Sequence, residues 1–305
     1  MEEGIAQRTL PPFPGTRPLW AAGGEAGTMI GIDYWQRRKT NGTRTERRMQ
    51  VVIVTGASRG LGAATARILL EMGAAVVLNA RSAGDLNDLA AKADPGGGRS
   101  LVVAGDVSDE ADCAALVGQT MARFDRLDAL VNNAGVLQPV APLGEEAVNA
   151  WRQNLAVNLL GPYYLMYYAL PHLKASGGRV VNVSSGAAVN PVPGWSAYST
   201  AKAAINMLTR ALAEEAPEVT ALAFRPGVVD TAMQAAIREE GNEGMPAERH
   251  ERFVRLHEQG ELLPPEQPGR SLALLALYAP LAWSGEFVQW DEERVLSLGE
   301  RGAKG

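Results

Sequence analysis

The chain alternates between short continuous apolar runs and longer stretches in which apolar positions recur every third or fourth residue. "QVVIVT" at 50–55 is apolar and β-branched at successive positions, which predicts a strand buried on both faces. From Leu61 to Met72 the apolar residues fall on one helical stripe. The alternation continues, with strands predicted at 74–80, 100–105, 127–132, 178–184, 218–224 and 285–290. Helices are predicted at 84–93, 108–123, 145–174, 196–215 and 267–279. Gly161-Pro162 is expected to bend the longest of them, and Pro217 to end the next. Strands separated by helices of these lengths imply right-handed crossovers and a parallel sheet covered on both faces. The pattern therefore predicts one doubly wound α/β domain with seven parallel strands over residues 49–300. In such a domain ligands bind outside the carboxyl ends of the strands.

Residues 1–48 fit neither period. They are rich in Pro, Gly and Arg, and are read as a disordered basic extension, with Met49 the expected start of the domain. Residues 1–50 hold eight Lys/Arg against five Asp/Glu, so a chain of net charge −5 carries −8 in the remainder. An acidic body argues against a nucleic-acid surface. The apolar run at 271–283 is too short to span a bilayer and contains Pro280, so no membrane association is expected. The single cysteine, Cys113, suits a reducing, cytoplasmic compartment.

Candidate chemistry follows the predicted strands. "TGASRGLG" at 55–62 joins the first strand to the first helix, and Gly56, Ser58, Arg59, Gly60, Leu61 and Gly62 can bring backbone N–H groups close to a pyrophosphate. The second strand ends "NARS" with no acid, and Arg59 and Arg81, with Ser82, can converge on a ribose 2′-phosphate. That favours NADPH/NADP over the NAD pair. Asp106 and Val107 are placed beside an adenine, although an acidic helix cap explains Asp106 nearly as well. Asn133, Ala134 and Gly135 keep backbone clear of the cofactor, and Asn132 can bond across the strand ends. His250 and His257, seven apart, lack metal-ligand spacing, and no metal is expected.

These pieces, with "NLAVNLLGPY" (154–163), "VNVSS" (181–185), "YSTAK" (198–202) and "RPGVVDT" (225–231), resemble the short-chain dehydrogenase/reductase family in order and spacing. The resemblance implies a Rossmann-type fold and a catalytic set of Asn158, Ser185, Tyr198 and Lys202, with Ser184 competing for the serine position. Tyr198 would give a proton to the carbonyl oxygen, and Ser185 would hold that oxygen. Lys202 would bond the nicotinamide ribose and lower the phenol pKa. Asn158 would support a water beside Lys202. Pro226, Gly227, Val229 and Thr231 would complete the cofactor site, Thr231 at its carboxamide. Tyr198 and Lys202, four residues apart, do lie on one helical face.

Within the family the C-terminal half looks most like the sepiapterin and benzil (diketone) reductases. Gln289 stands where sepiapterin reductases carry an aspartate, so a ketone or α-diketone is the better expectation than a pterin. Trp195, Met233 and Gln289 are the expected substrate contacts, with Val189 and Trp290 as further wall candidates. Residues 232–265 are expected to form a lid, including an amphipathic helix at 248–263. A homodimer or homotetramer through the helices at 145–174 and 196–215 is expected. Two other functions remain open: an idle NADPH-binding sensor or scaffold, and an NADP-dependent alcohol dehydrogenase working oxidatively.

Overall fold

The computed structural model describes residues 48–241 and 244–300. The predicted extension over 1–48 lies outside the described residues apart from Arg48. From Met49 onward the chain forms one Rossmann-type domain. Its sheet has seven strands in the order β3-β2-β1-β4-β5-β6-β7, every pair parallel. The strands are β1 (Val51–Thr55), β2 (Ala75–Ala80), β3 (Ser100–Ala104), β4 (Ala129–Asn132), β5 (Arg179–Val183), β6 (Thr220–Arg225) and β7 (Phe287–Gln289). The winding reverses between β1 and β4, which opens a crevice at their carboxyl ends.

The period-two pleat of β1 divides the core. Val52 and Val54 pack on one side with α1 (Gly60–Glu71), α2 (Ala83–Ala93) and α9 (Glu266–Tyr278). Val51 and Ile53 pack on the other with α3 (Glu110–Phe124), α5 (Gly161–Ser176) and α6 (Ser196–Glu215). Both faces are buried, so β1 has no polar alternation to show.

Three expectations need correction. The helix predicted at 145–174 is two helices, α4 (Val148–Leu155) and α5, joined by a π-helical turn at Ala156–Leu160. Pro162 has no N–H to give Asn158, and the Gly161 N–H instead reaches back five residues to Ala156 O. The lid region holds two helices, α7 (Ala232–Glu240) and α8 (Ala247–Glu258), of which the first is not evident in the sequence. Helix α8 ends before residue 263, where Gly260 turns the chain at φ +68°. Strand β7 is shorter than 285–290 because Gly285 takes φ +89°. A four-residue helix, α10 (Glu293–Leu296), follows it.

Candidate active site

A cleft of about 960 Å³ lies along the carboxyl ends of the strands. The turn after β1 is held open by glycine geometry. Gly56 and Gly60 have φ of +65° and +56°, and a Cβ on Gly62 would collide with the Gly56 carbonyl oxygen. Asn133 locks this turn to the end of β4: its Nδ2 donates to Thr55 O at 2.8 Å and Gly56 O at 3.3 Å. Thr55 Oγ1 in return accepts from the Asn133 and Ala134 N–H groups at 3.0 Å each. Every predicted cofactor residue, from Gly56 through Arg81, Asp106 and Gly135 to Thr231, lines the cleft. Arg59 and Arg81 are exposed there and make no ion pair among the described residues. The glycine cradle and the two unpaired guanidinium groups fit a dinucleotide. Asp106 Oδ1 accepts from Ser108 N and Oγ at 2.9 and 2.8 Å in the turn before α3, whose N-cap is Asp109 rather than Asp106.

The reactive side chains come from two neighbouring elements. Helix α6 begins just after Trp195 and buries Tyr198 and Lys202, 8% and 4% exposed, against the end of β5. Lys202 Nζ donates to Val183 O at 2.7 Å and lies 5.6 Å from the Tyr198 ring centre. Burial pulls its ammonium down to about 8. Burial pushes the Tyr198 phenol up, opposed by a hydrogen bond with the Ser185 side chain. The net shift of the phenol is thus upward, against the expected lowering, because desolvation of the anion outweighs the Ser185 interaction. Ser184, the competing position, turns away: its hydroxyl donates to Asn206 Oδ1 at 2.6 Å.

Asn158 stands behind the cleft wall rather than in it, and its neighbour Val157 is the lining residue. Its Nδ2 donates to Val136 O and Asn154 Oδ1, both at 2.8 Å, so both amide hydrogens are taken. Its Oδ1 accepts from the Val136 N–H at 3.2 Å. Asn154, missed in the sequence, extends this clamp by donating to Val136, Leu137 and Gln138 carbonyls at 3.3, 3.1 and 2.8 Å. The signal was present in "NLAVN", two asparagines one helical turn apart. Asn132 does bond across the strand ends, to Asn182 Oδ1 at 2.8 Å.

Trp195 and Met233 line the cleft, whereas Gln289, Val189 and Trp290 do not. Gln289 instead accepts from Arg225 Nη1 at 3.3 Å and donates to Asp291 at 2.9 Å, because β7 pairs with β6 and brings the two side chains together. Arg225, Arg249, Arg252 and Phe253 line the cleft and were not singled out in the sequence. Phe253 stacks on Trp195 at 5.5 Å, and His250 Nε2 lies 2.9 Å from Arg238 O, tying α8 to α7. No group of three His, Cys, Asp or Glu able to hold a metal occurs among the described residues.

Residues 50–242 match the family model described as short chain dehydrogenase. The chain belongs to the short-chain dehydrogenase family. Members of this family use NAD(P)(H), and this chain is a short-chain oxidoreductase acting between CH–OH and C=O groups. Among its relatives is an uncharacterized oxidoreductase of Schizosaccharomyces pombe, 37% identical over 243 residues, covering 79% of this chain and 96% of the relative. A benzil reductase ((S)-benzoin forming) of Saccharomyces cerevisiae is 35% identical over 258 residues, covering 81% and 97% of the two chains. The crystal structure of the KRED1-Pglu enzyme superposes with a TM-score of 0.76 at 42% identity, covering 79% of this chain and all of that one. No helix among the described residues is long and apolar enough to cross a membrane.

Proposed function

We propose that this short-chain dehydrogenase is an NADPH-dependent carbonyl reductase acting on a ketone or α-diketone, with Tyr198 as the proton donor. One observation carries the reading: the Tyr198 phenol lines the same cleft as Ser185, Lys202 and the glycine turn. When bound, the reduced nicotinamide supplies hydride to the carbonyl carbon. Ser185 holds the carbonyl oxygen, and burial keeps the Tyr198 proton in place until that oxygen becomes basic enough to take it. Lys202 then lies close enough to stabilise the phenolate. Asn158 and Asn154 act at one remove, by fixing the segment from Val136 to Gln138. Arg59 and Arg81 support the preference for a 2′-phosphate. The benzil reductase among the relatives supports a diketone. A homodimer is supported by Leu160, Tyr163 and Tyr167, exposed and three to four residues apart from the π turn into α5, with Met207 exposed on α6. The single buried thiol suits a cytoplasmic setting.

The test follows NADPH and NADH oxidation with benzil and a panel of ketones, in the native chain and in Tyr198→Phe. NADPH is expected to be preferred, and the variant to lose about 100-fold or more in turnover while still binding NADPH. Near-normal turnover in the variant overturns the assignment of Tyr198. NADPH binding without oxidation across the panel favours the idle sensor.

A further inference from the structure

The cleft is unevenly charged. On the side of β2 and β3 its walls carry Asp85 and Asp106 beside Arg59 and Arg81. Beyond Tyr198 it is lined by Arg225, Arg249 and Arg252, and by no carboxylate among the described residues. This excess of cations sits in a chain whose net charge is −5. Arg225 is packed against Gly186 and bonded to the Gln289 amide. Arg249 and Arg252 differ from it. They share one face of α8 with Phe253, and neither side chain makes an ion pair or hydrogen bond among the described residues. Arg255, elsewhere on the helix, is the one that pairs, with Glu251 at 3.5 Å.

Between these two arginines and Tyr198 the wall is aromatic. Phe253 stacks on Trp195 with ring centres 5.5 Å apart, and Trp195 meets Tyr198 edge-on at 5.8 Å. Two buried hydrogen-bond donors here also lack a partner among the described residues. Trp195 Nε1 and Gln234 Nε2 are buried, belong to side chains lining the cleft, and have no acceptor among the described residues. A buried N–H without an acceptor is unfavourable, so such a site gains from a ligand rich in oxygen acceptors.

We infer that the substrate carries a carboxylate. Its reacting carbonyl meets Tyr198, an aryl body packs on Trp195 and Phe253, and its anionic end is held by Arg249 and Arg252. This rests on the carbonyl-reductase reading above and names the class of carbonyl compound. Guanidinium groups match a carboxylate with paired, charge-assisted bonds, and cations at the mouth draw anions in. The cofactor phosphates are the other anions within reach, so the test separates the two.

The probes are 4-carboxybenzil and its neutral carboxamide. The carboxylate is expected to exceed the amide in kcat/KM by about tenfold, mainly through KM, and to lose that lead as salt is added. In the double variant Arg249→Gln/Arg252→Gln the ratio should fall to about one. Both residues are exposed, so folding is not at stake. A ratio near one in the native chain, or a ratio that survives in the double variant, overturns the inference. So does a double variant whose main defect is weakened NADPH binding, which would assign the arginines to the cofactor. Equilibrium binding of the two probes to Tyr198→Phe with NADP⁺ reads the same preference without turnover. A carboxylate preference there, with neither probe reduced by the native chain, supports the anion site while rejecting the carbonyl chemistry.

Discussion

Lys202 is an ammonium on a nearly buried side chain at the cleft wall, with the Val183 carbonyl as its hydrogen-bond acceptor. Burial brings it down to about 8, below the ordinary lysine value near 10.4. Between those two values the unfolded chain holds a proton that the folded chain has released, so stability rises with pH. Below the folded value the buried charge weighs fully against the fold, and the handicap is relieved as pH climbs. Tyr198, pushed up by burial, stays protonated over this window. Thermal unfolding of the native chain and of Lys202→Met, followed from about pH 7 to about pH 9.5, should show the native midpoint gaining on the variant. A constant gap would mean that Lys202 titrates as an ordinary lysine. The spacing of Tyr198 and Lys202 made their shared face legible in the sequence. The direction of the phenol shift was not legible, because it depends on how much solvent the folded walls exclude.

At the scale of elements, the π turn and the two asparagines form one device. The turn sets Asn158 behind the cleft wall, and Asn154 braces the same wall through three successive carbonyls. Replacing Asn154 by Leu removes the donor those carbonyls share, which should cost about 1–3 kcal/mol in urea unfolding. The same variant should raise KM more than it lowers kcat, since Leu137 and Gln138 line the cleft while Tyr198 keeps its own supports. Unchanged stability and KM would reduce Asn154 to a passive packing residue. Helix α6 was predicted with its observed limits, because its start and the Pro217 stop are both written in the chain. The π turn was not, since apolar spacing reports which face is buried, not which carbonyl an N–H reaches. Helix α7 escaped notice because its stripe is short and its cap, Thr231, also served the cofactor reading.

For the whole molecule, the seven-stranded parallel sheet and the cleft at its strand ends followed from alternation and winding rules, while the strand order came from the structure. What did not follow were contacts made between separate strands and helices. Gln289 was expected at the substrate, yet β6–β7 pairing spends it on Arg225, and Phe253 reaches Trp195 only because the lid folds back. The stripe of Leu160, Tyr163 and Tyr167 remains uncovered on the domain surface. If a second copy covers it, Tyr167→Glu should shift the mass measured by light scattering from dimer to monomer, with the fold kept. A monomeric native chain would remove the dimer from the proposal. Cys113, finally, is sealed under α3, bonded to Val107 O, and pushed up to about 12 by burial and by nearby carboxylates. As the chain's one sulfhydryl, it leaves a silent background for labelling. An Arg255→Cys variant would take a fluorophore selectively, and its emission would report whether α8 moves when a ligand enters the cleft.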